Sequence, residues 1–208
     1  AGEARDEARD LRQELTRMST LIRQLLEYGK GGGGRFRAVR LGDLARSVAR
    51  DVEDDAQRLG IVLRVEQTGP GPSVQGDPAR LGRAVENLVR NAFQATGRGG
   101  TVEVACFREG GQASLEVRDD GPGVPEELRD QIFEPFFSTK VSGKGTGLGL
   151  ALVHGVADEH SGTVTVGGSP MGGAAFRLVL PAEPDDGPDD GVGPAVDGVD
   201  GSGETSRG

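Results

Sequence analysis

The sequence predicts an α+β fold built as a two-layer sandwich, in which helices cover one face of a mixed sheet and a long separate helix precedes the domain. Two patterns predict it: some segments carry apolar residues at helical spacing, and others alternate apolar and polar residues. The two kinds of segment interleave between Arg37 and Pro181, so helices and hairpins must share one core. At 208 residues the chain suffices for one domain of about 150 residues with extensions.

A seam of apolar residues marks the first helix, from about Glu3 to Tyr28. The seam residues recur at spacings of four and three: Leu11, Leu15, Met18, Ile22 and Leu25. Such a seam is typical of a helix that packs on its own domain or pairs with another chain. Because Gly31 to Gly34 form a flexible joint that uncouples this segment, we favour pairing with another chain. We therefore expect residues 1–30 to form one helix and residues 31–36 a glycine-rich joint.

The elements after the joint follow from local patterns. Arg37–Arg40 is predicted as a short strand, and Leu41–Leu59 as one helix with apolar residues at helical spacing. Ile61–Glu66 alternates as a strand and ends in a turn-rich segment. Asp77 and Pro78 supply an N-cap and a first-turn proline for a helix that runs through Ala92.

The second half alternates hairpins with one more helix. Four segments are predicted as strands: Thr101–Phe107, Ala113–Arg118, Thr163–Val166 and Ala174–Leu180. Gly110 and Gly111 join the first two as a hairpin, and Leu148–Glu159 is helical. These elements complete a domain over residues 37–182. Residues 183–208 are mostly Asp, Gly and Pro, so we expect a disordered tail that is either solvated filler or regulatory.

Charge and composition exclude several classes of protein. The net charge of -9 argues against a nucleic-acid partner, because binding phosphates needs a basic face. No apolar stretch reaches the roughly 18 residues of a membrane span, and nothing at the start resembles a signal peptide, so we expect a soluble piece. The single cysteine, Cys106, lies in an alternating run and is interpreted as a strand residue and not a redox centre.

Two asparagines mark the first candidate site. Asn87 and Asn91 are four residues apart on a predicted helix, so their side chains leave the same face one turn apart. Amide oxygens are hard, neutral ligands that suit Mg²⁺, which keeps waters and substrate phosphates in its other positions. The alternative is a pair of solvated or capping asparagines.

The end of the second hairpin strand is the next candidate. Asp119 ends the alternating run that contains Leu115 and Val117, so its carboxylate is expected to face a pocket. There it can accept a hydrogen bond from an amine on a flat ring, which Gly121 and Gly123 would allow to approach the backbone. An ordinary acidic turn fits the same residues.

A glycine-rich loop leads directly into a helix. The amide groups and dipole at that N-terminus form an anion site, and Lys140 and Lys144 add positive charge. We therefore favour phosphate binding over a merely flexible loop. Phe133, Phe136 and Phe137, just before the loop, are interpreted as a hydrophobic hinge for it or as core.

Together these segments resemble the catalytic domain of sensor histidine kinases of two-component signalling, in the ATPase superfamily that also holds gyrase and heat-shock chaperones. Five segments carry the resemblance: Asn87–Ala92 is similar to the N box, Asp119–Gly123 to the first glycine box, Phe133–Lys140 to the F box, Gly145–Leu150 to the second glycine box, and Gly172–Phe176 to the last glycine turn. The resemblance runs from about Arg37 to Pro181 and implies a Bergerat-type ATP-binding fold.

The resemblance also implies roles for these residues. Asn91, helped by Asn87, would hold Mg²⁺, and Asp119 would bind the amino group of adenine. Gly121 and Gly123 would frame the base. A lid over the triphosphate would use seven residues: Lys140, Lys144, Gly145, Thr146, Gly147, Leu148 and Gly149. Asn87, Asn91 and Lys140 are the predicted catalytic residues, and ATP and Mg²⁺ the predicted cofactors.

The same resemblance implies where the phosphoryl group is transferred and which protein partners take part. Residues 1–30 are similar to the second helix of the dimerisation and phosphoacceptor hairpin, which implies a homodimer. The family phosphorylates a histidine on the first helix, which this chain lacks; neither His154 nor His160 has the acceptor's context. We therefore expect a cytoplasmic fragment, cut before the acceptor, of a protein that can carry a membrane anchor elsewhere. Its partner would be a response regulator receiver domain.

The residue at one position favours phosphoryl transfer to a protein over hydrolysis of ATP. Hydrolases of the superfamily carry a water-orienting glutamate one turn before the Mg²⁺ asparagine, where this chain has Asn87. Glu86 is adjacent but about 100° around the helix. Two alternatives remain: a serine kinase of the anti-sigma type, and a non-catalytic ATP-dependent dimerisation module.

Overall fold

The computed structural model describes residues 35–66, 70–138 and 146–184. The predicted helix over residues 1–30, most of the joint and the tail from residue 185 lie outside these ranges. The described strands are β1 (Arg37–Arg40), β2 (Val62–Glu66), β3 (Ser73–Gly76), β4 (Thr101–Glu109), β5 (Gln112–Asp119), β6 (Thr163–Gly168) and β7 (Ala174–Pro181). The described α-helices are α1 (Leu41–Asp51), α2 (Glu53–Leu59), α3 (Pro78–Thr96) and α4 (Gly149–Glu159), and 3₁₀ turns cover Glu126–Leu128 and Gln131–Phe133.

The main sheet has five strands in the order β2-β4-β5-β7-β6. Strand β2 runs parallel to β4, and every other pair of neighbours is antiparallel. Strands β1 and β3 form a separate antiparallel pair, to which Ala182 adds a bridge at Val74. The mixed sheet confirms the predicted α+β class.

Helices cover one face of the sheet, as the alternation in β5 makes clear. Ala113, Leu115 and Val117 are fully buried and belong to the same apolar core as residues from α1, α3 and α4. Since side chains alternate along a strand, Asp119 at the end of β5 lies on this helix-covered face. The central strand β5 thus places a carboxylate at its own end, on the face of the sheet that the helices cover.

The opposite face of the sheet carries an ionic network. The carboxylate of Glu116 accepts hydrogen bonds from Nε of Arg118 at 2.5 Å and from Nε of Arg177 at 2.6 Å. Burial raises the pKa of Glu116, but the hydrogen bonds from the two arginines outweigh it and hold the pKa below its ordinary value. This buried carboxylate is therefore ionised and paired.

Two elements differ from the prediction. The predicted helix over Leu41–Leu59 is interrupted at Val52, whose φ of -106° and ψ of 5° depart from helical values before the acidic first turn of α2. Strand β3 was not predicted, because four residues are too few for a periodic pattern and its partner, β1, lies far away in sequence. Strand β3 leads directly into Asp77, the N-cap of α3.

Candidate functional site

Asp119 lies at the end of β5, on the helix-covered face of the sheet. It is the most buried ionisable residue there and has no exposed surface. Its Oδ1 atom accepts hydrogen bonds from the backbone N–H groups of Gly121 at 2.9 Å and Ala174 at 3.1 Å. Burial raises the pKa of Asp119 above its ordinary value, although these two hydrogen bonds oppose the effect. The carboxyl group is thus held in one orientation at an energetic cost.

The second oxygen of Asp119 has no partner. Oδ2 is the buried side-chain atom without a hydrogen-bond partner among the residues that the structure describes. A buried acceptor left unpaired costs roughly 1 to 3 kcal/mol, so its persistence calls for an explanation. A ligand that brings a hydrogen-bond donor would satisfy it.

Glycines enclose this carboxylate because no larger residue fits. A Cβ atom on Gly173 would collide with the carboxylate Oδ1 and with the backbone carbonyl oxygen of Asp119, and it would lie 2.5 Å from the Gly121 nitrogen. A Cβ atom on Gly121 would lie 3.0 Å from the carbonyl carbon of Ala95. Gly123 has a φ of 76° and faces the carbonyl of Gly173. Two glycine turns therefore close on Asp119 from both sides.

One face of α3 borders the same region. Asn87, Asn91 and Ala95 are spaced by four residues and lie on successive turns of this face. Gly149, the first residue of α4, lies so close to Asn87 that a Cβ atom there would be 3.0 Å from Oδ1. Gly121 abuts Ala95 at the other end. Asn91 therefore lies between the start of α4 and the Asp119 turn.

The amide of Asn87 is already oriented. Its Nδ2 atom donates to the carbonyl of Arg83, one turn earlier, at 2.8 Å. Because the NH₂ group is used inside the helix, the oxygen is the end of the amide that faces Gly149. The face of α3 thus offers an oxygen donor to a cation or a phosphate-bound water.

The described end of the glycine loop is anchored to the segment before it. The N–H of Phe136 donates to the carbonyl of Gly147 at 3.0 Å. Gly147 has a φ of 67°, and a Cβ atom there would lie 2.7 Å from Cα of Phe136. Leu148, buried at 3 % exposure, precedes α4, whose first amide groups have no partner within the helix. Phe136 itself is exposed, which fits a hinge better than a core residue.

Three predicted site residues, Lys140, Lys144 and Gly145, lie outside the described residues. Thr146, Gly147, Leu148 and Gly149 are described and lead into α4 beside α3. Three sets of predicted groups therefore lie together on the helix-covered face, where β5 ends: those on α3, those on the Asp119 turn and those at the start of α4.

Neighbouring polar residues have structural partners. Asp120 accepts from the N–H of Thr101 at 2.8 Å and bonds the hydroxyl of Thr96, so it ties β4 to the end of α3. Cys106 lies in β4, where burial raises the pKa of its thiol to about 12. His154 pairs with Asp158 on α4. The negative charge of Asp120 also raises the pKa of Asp119, so the two carboxylates lie close together.

The sequence did not identify the donors that hold Asp119. Gly121 and Ala174 donate through backbone N–H groups, which leave no side-chain signature, although both glycine turns were noted for their resemblance. The contact of His160 was not predicted either. This residue, at the end of α4, is buried, and its Nε2 accepts from the backbone N–H of Asp77.

Residues 35–66, 70–138 and 146–184 contain no group of three or more His, Cys, Asp or Glu side chains able to hold a metal. They also contain no helix with the length and apolar character of a membrane span.

The chain is similar to a known protein family and to known proteins. The family model described as histidine kinase-, DNA gyrase B-, and HSP90-like ATPase matches residues 76–184. Sensor histidine kinase ZraS of Escherichia coli (strain K12) is 36% identical over 180 residues, which are 86% of this chain and 38% of that protein. The chain thus spans less than two-fifths of the length of this relative.

Two solved structures are similar as well. Full-length ShkA in complex with AMPPNP has a TM-score of 0.73 and 29% identity, over 88% of this chain and 39% of that one. Histidine kinase ThkA in complex with response regulator protein TrrA has a TM-score of 0.69 and 30% identity, over 82% of this chain and 48% of that one.

Proposed function

We propose that this chain, which belongs to the family of histidine kinase-, DNA gyrase B- and HSP90-like ATPases, is the ATP-binding catalytic core of a two-component sensor histidine kinase. One observation carries the proposal: the buried Oδ2 atom of Asp119 has no partner, whereas Oδ1 is fully used by the backbone. The free oxygen suits the exocyclic amine of adenine, and a hydrogen bond to a charged acceptor contributes roughly 1.5 to 3 kcal/mol. Gly121 and Gly123 leave room for the ring.

The phosphates would lie at the start of α4. There the unpaired amide groups and the helix dipole favour an anion, and Gly147 and Gly149 keep the backbone accessible. Lys140 and Lys144 would contribute positive charge from the loop before the helix. The adenine and phosphate ends of one nucleotide would thus span from the Asp119 turn to the first turn of α4.

Asn91 and Asn87 would hold Mg²⁺. Their amide oxygens are of the hard, neutral type that this ion accepts, and phosphates and waters would complete its octahedral shell. When bound, Mg²⁺ would neutralise charge on the phosphates. The oriented amide of Asn87 supports this assignment, because its oxygen faces Gly149.

Transfer to a protein side chain is the reaction that these residues favour. A hydrolase needs a base that activates water, and the only nearby candidate on this turn of α3, Glu86, is held by Nε of Arg90 at 2.7 Å. With no free base there, the pocket positions the γ-phosphoryl group and stabilises charge. An imidazole nitrogen of the acceptor would take the phosphoryl group as ADP leaves.

The phosphoacceptor and the protein partners complete the proposal. We propose that the acceptor histidine lies on a dimerisation helix outside this chain, that residues 1–30 pair with a second copy, and that an aspartate of a response regulator receives the phosphoryl group next. The complex of the similar ThkA with response regulator TrrA supports a response regulator as a partner. We also expect the domain to work in the cytoplasm, where ATP and response regulators meet.

The test uses the full-length protein. Incubation with γ-labelled ATP and Mg²⁺ is expected to give a protein label that is lost in acid and stable in base, as phosphohistidine requires. An Asp119→Asn variant is expected to lose the label. An acid-stable label would indicate a serine kinase, and no label with retained nucleotide binding would indicate a non-catalytic module; either outcome would overturn the proposal.

A further inference from the structure

His160 joins the two helices of the nucleotide site at the end away from that site. It directly follows α4, and its side chain is buried at 4 % exposure. Nδ1 lies 2.7 Å from the carbonyl of Val156, and the backbone N–H of Asp77 donates to Nε2 at 3.0 Å. Because Nε2 accepts, the proton must be on Nδ1, which donates to Val156. Both ring nitrogens are thus used by the backbone.

The bond to Asp77 falls where α3 begins. Asp77 is the N-cap of that helix, and its Oδ1 accepts from the N–H groups of Ala79 at 2.9 Å and Arg80 at 3.3 Å. A Cβ atom on the preceding Gly76 would lie 2.7 Å from Cδ2 of His160, so the imidazole fits closely against the backbone. His160 therefore holds the residue that sets the first turn of α3.

The two helices are antiparallel and touch at two ends. At one end His160 meets Asp77, and at the other Gly149 meets Asn87. Ten residues separate Asp77 from Asn87 and eleven separate Gly149 from His160, which correspond to about 15 and 16 Å of helix. If α4 shifted along α3 at the His160 end, Asn87 would therefore move relative to the start of α4.

Phe36 covers this contact on its outer side. Its ring stacks on His160, with centroids 4.7 Å apart and planes 12° from parallel, although Phe36 is itself 52% exposed. An ion pair between Arg80 and Glu159 at 2.7 Å lies beside the same junction. Phe36 belongs to the segment just before β1, so this junction is also where the chain from the N-terminal side meets the helix pair.

We propose that His160 is a positioning residue: through its bond to Asp77 it fixes the register of α3 against α4, and with it the spacing between Asn87 and the first residue of α4, Gly149. Phe36 shields that bond from water and ties the register to the segment that enters the domain. The proposal rests on the function proposed above, because the spacing matters only if one nucleotide spans both helices.

Two variants separate this role from simple core filling. In His160→Gln the amide oxygen can still accept from Asp77, whereas His160→Phe keeps an aromatic ring that can stack on Phe36 but removes the acceptor. We expect His160→Gln to bind Mg²⁺-ATP within about twofold of the parent, and His160→Phe to bind about tenfold more weakly, since an unpaired buried N–H is costly. Binding is measured by calorimetry, and amide exchange at Asp77 without nucleotide reports the bond directly.

Each outcome decides between the two roles. Faster exchange at Asp77 and weaker binding in His160→Phe, with both restored in His160→Gln, support positioning. Normal binding in His160→Phe, or equal losses in both variants, would overturn it. If the parent itself does not bind Mg²⁺-ATP, the function proposed above fails instead, and the exchange measurement still reports on the His160 bond. A ¹⁵N spectrum of the parent is expected to show a protonated Nδ1 and an unprotonated Nε2.

Discussion

Asp119 and Ala174 are 55 positions apart, and the backbone N–H of Ala174 donates to Oδ1 of Asp119 at 3.1 Å. With the bond from Gly121, one carboxylate oxygen is fully used by the scaffold, and the other is left for a ligand. In an Asp119→Asn variant the amide oxygen would keep both backbone bonds, and the NH₂ group would take the place of Oδ2. A donor would then face the adenine amine, which is also a donor.

We therefore expect Asp119→Asn to lose at least about tenfold in ATP affinity while it is at least as stable as the parent at neutral pH. Calorimetric titration and urea unfolding measure the two quantities. The same change at the next position, Asp120→Asn, is the control, since Asp120 bonds Thr96 and Thr101 outside the pocket. Equal affinity losses in the two variants would contradict the role assigned to Oδ2.

The pKa of Asp119 predicts how stability changes with pH. Burial raises the pKa in the folded state above the ordinary value of 3.8, so folding favours the protonated form. The stability that Asp119 contributes is fully present below pH 3.8 and is lost as the pH rises through the folded-state pKa. We expect the free energy of unfolding of the parent, relative to Asp119→Asn, to fall over that interval. Urea unfolding of both proteins across the acid range measures it, and a rise would contradict the expectation.

Glu116 should have the opposite dependence. Its pKa lies below the ordinary value of 4.5, so its contribution is present above pH 4.5 and is lost as the pH falls through the folded-state pKa. Glu116→Gln would weaken the hydrogen bonds from Arg118 and Arg177 and should cost about 2 kcal/mol at neutral pH. Urea unfolding at several pH values is expected to show this cost shrinking in acid, and a constant cost would argue against the ionic network.

Much of this architecture follows from the sequence by periodicity. Alternation along β5 correctly put Asp119 on the core side, and the helical spacing of α3 correctly put Asn87 and Asn91 on one face. Strand β3 escaped prediction because its pairing with β1 is long-range and each strand has only four residues. Periodic patterns report which face a residue occupies, but they do not report which distant segment pairs with it.

The details of the site depend on backbone atoms, which sequence patterns do not encode. The donors to Asp119 are N–H groups, and any non-proline residue could supply one at position 174. His160 is similar, because only the folded chain brings its ring to the backbone of Asp77. Side-chain types can therefore nominate a site, whereas its enclosure comes from tertiary contacts.

Gly173 tests that enclosure. A Cβ atom there would collide with Asp119 and lie 2.5 Å from the Gly121 nitrogen, and neither backbone segment can move away cheaply. We expect Gly173→Ala to destabilise the domain by roughly 1 to 3 kcal/mol and to weaken ATP binding. Gly167→Ala, in the adjacent strand β6, is the matched control because nothing lies within 4 Å of its Cβ position. Thermal unfolding and nucleotide titration of the pair measure the difference, and equal behaviour would argue against close enclosure.

Asn91 should determine the response to Mg²⁺. It lies between Asn87 and the turn that holds Asp119, so Asn91→Ala would remove an oxygen from the proposed metal position without touching the adenine contact. We expect the parent to bind ATP more tightly with Mg²⁺ than with EDTA, and Asn91→Ala to lose most of that difference while keeping its weaker metal-free affinity. Glu86→Gln is the control from the same helix, since Glu86 is paired with Arg90 and faces away. If Asn91→Ala kept the full Mg²⁺ effect, the ion would have to be held by other residues, and the assignment of this face of α3 to the metal would be wrong.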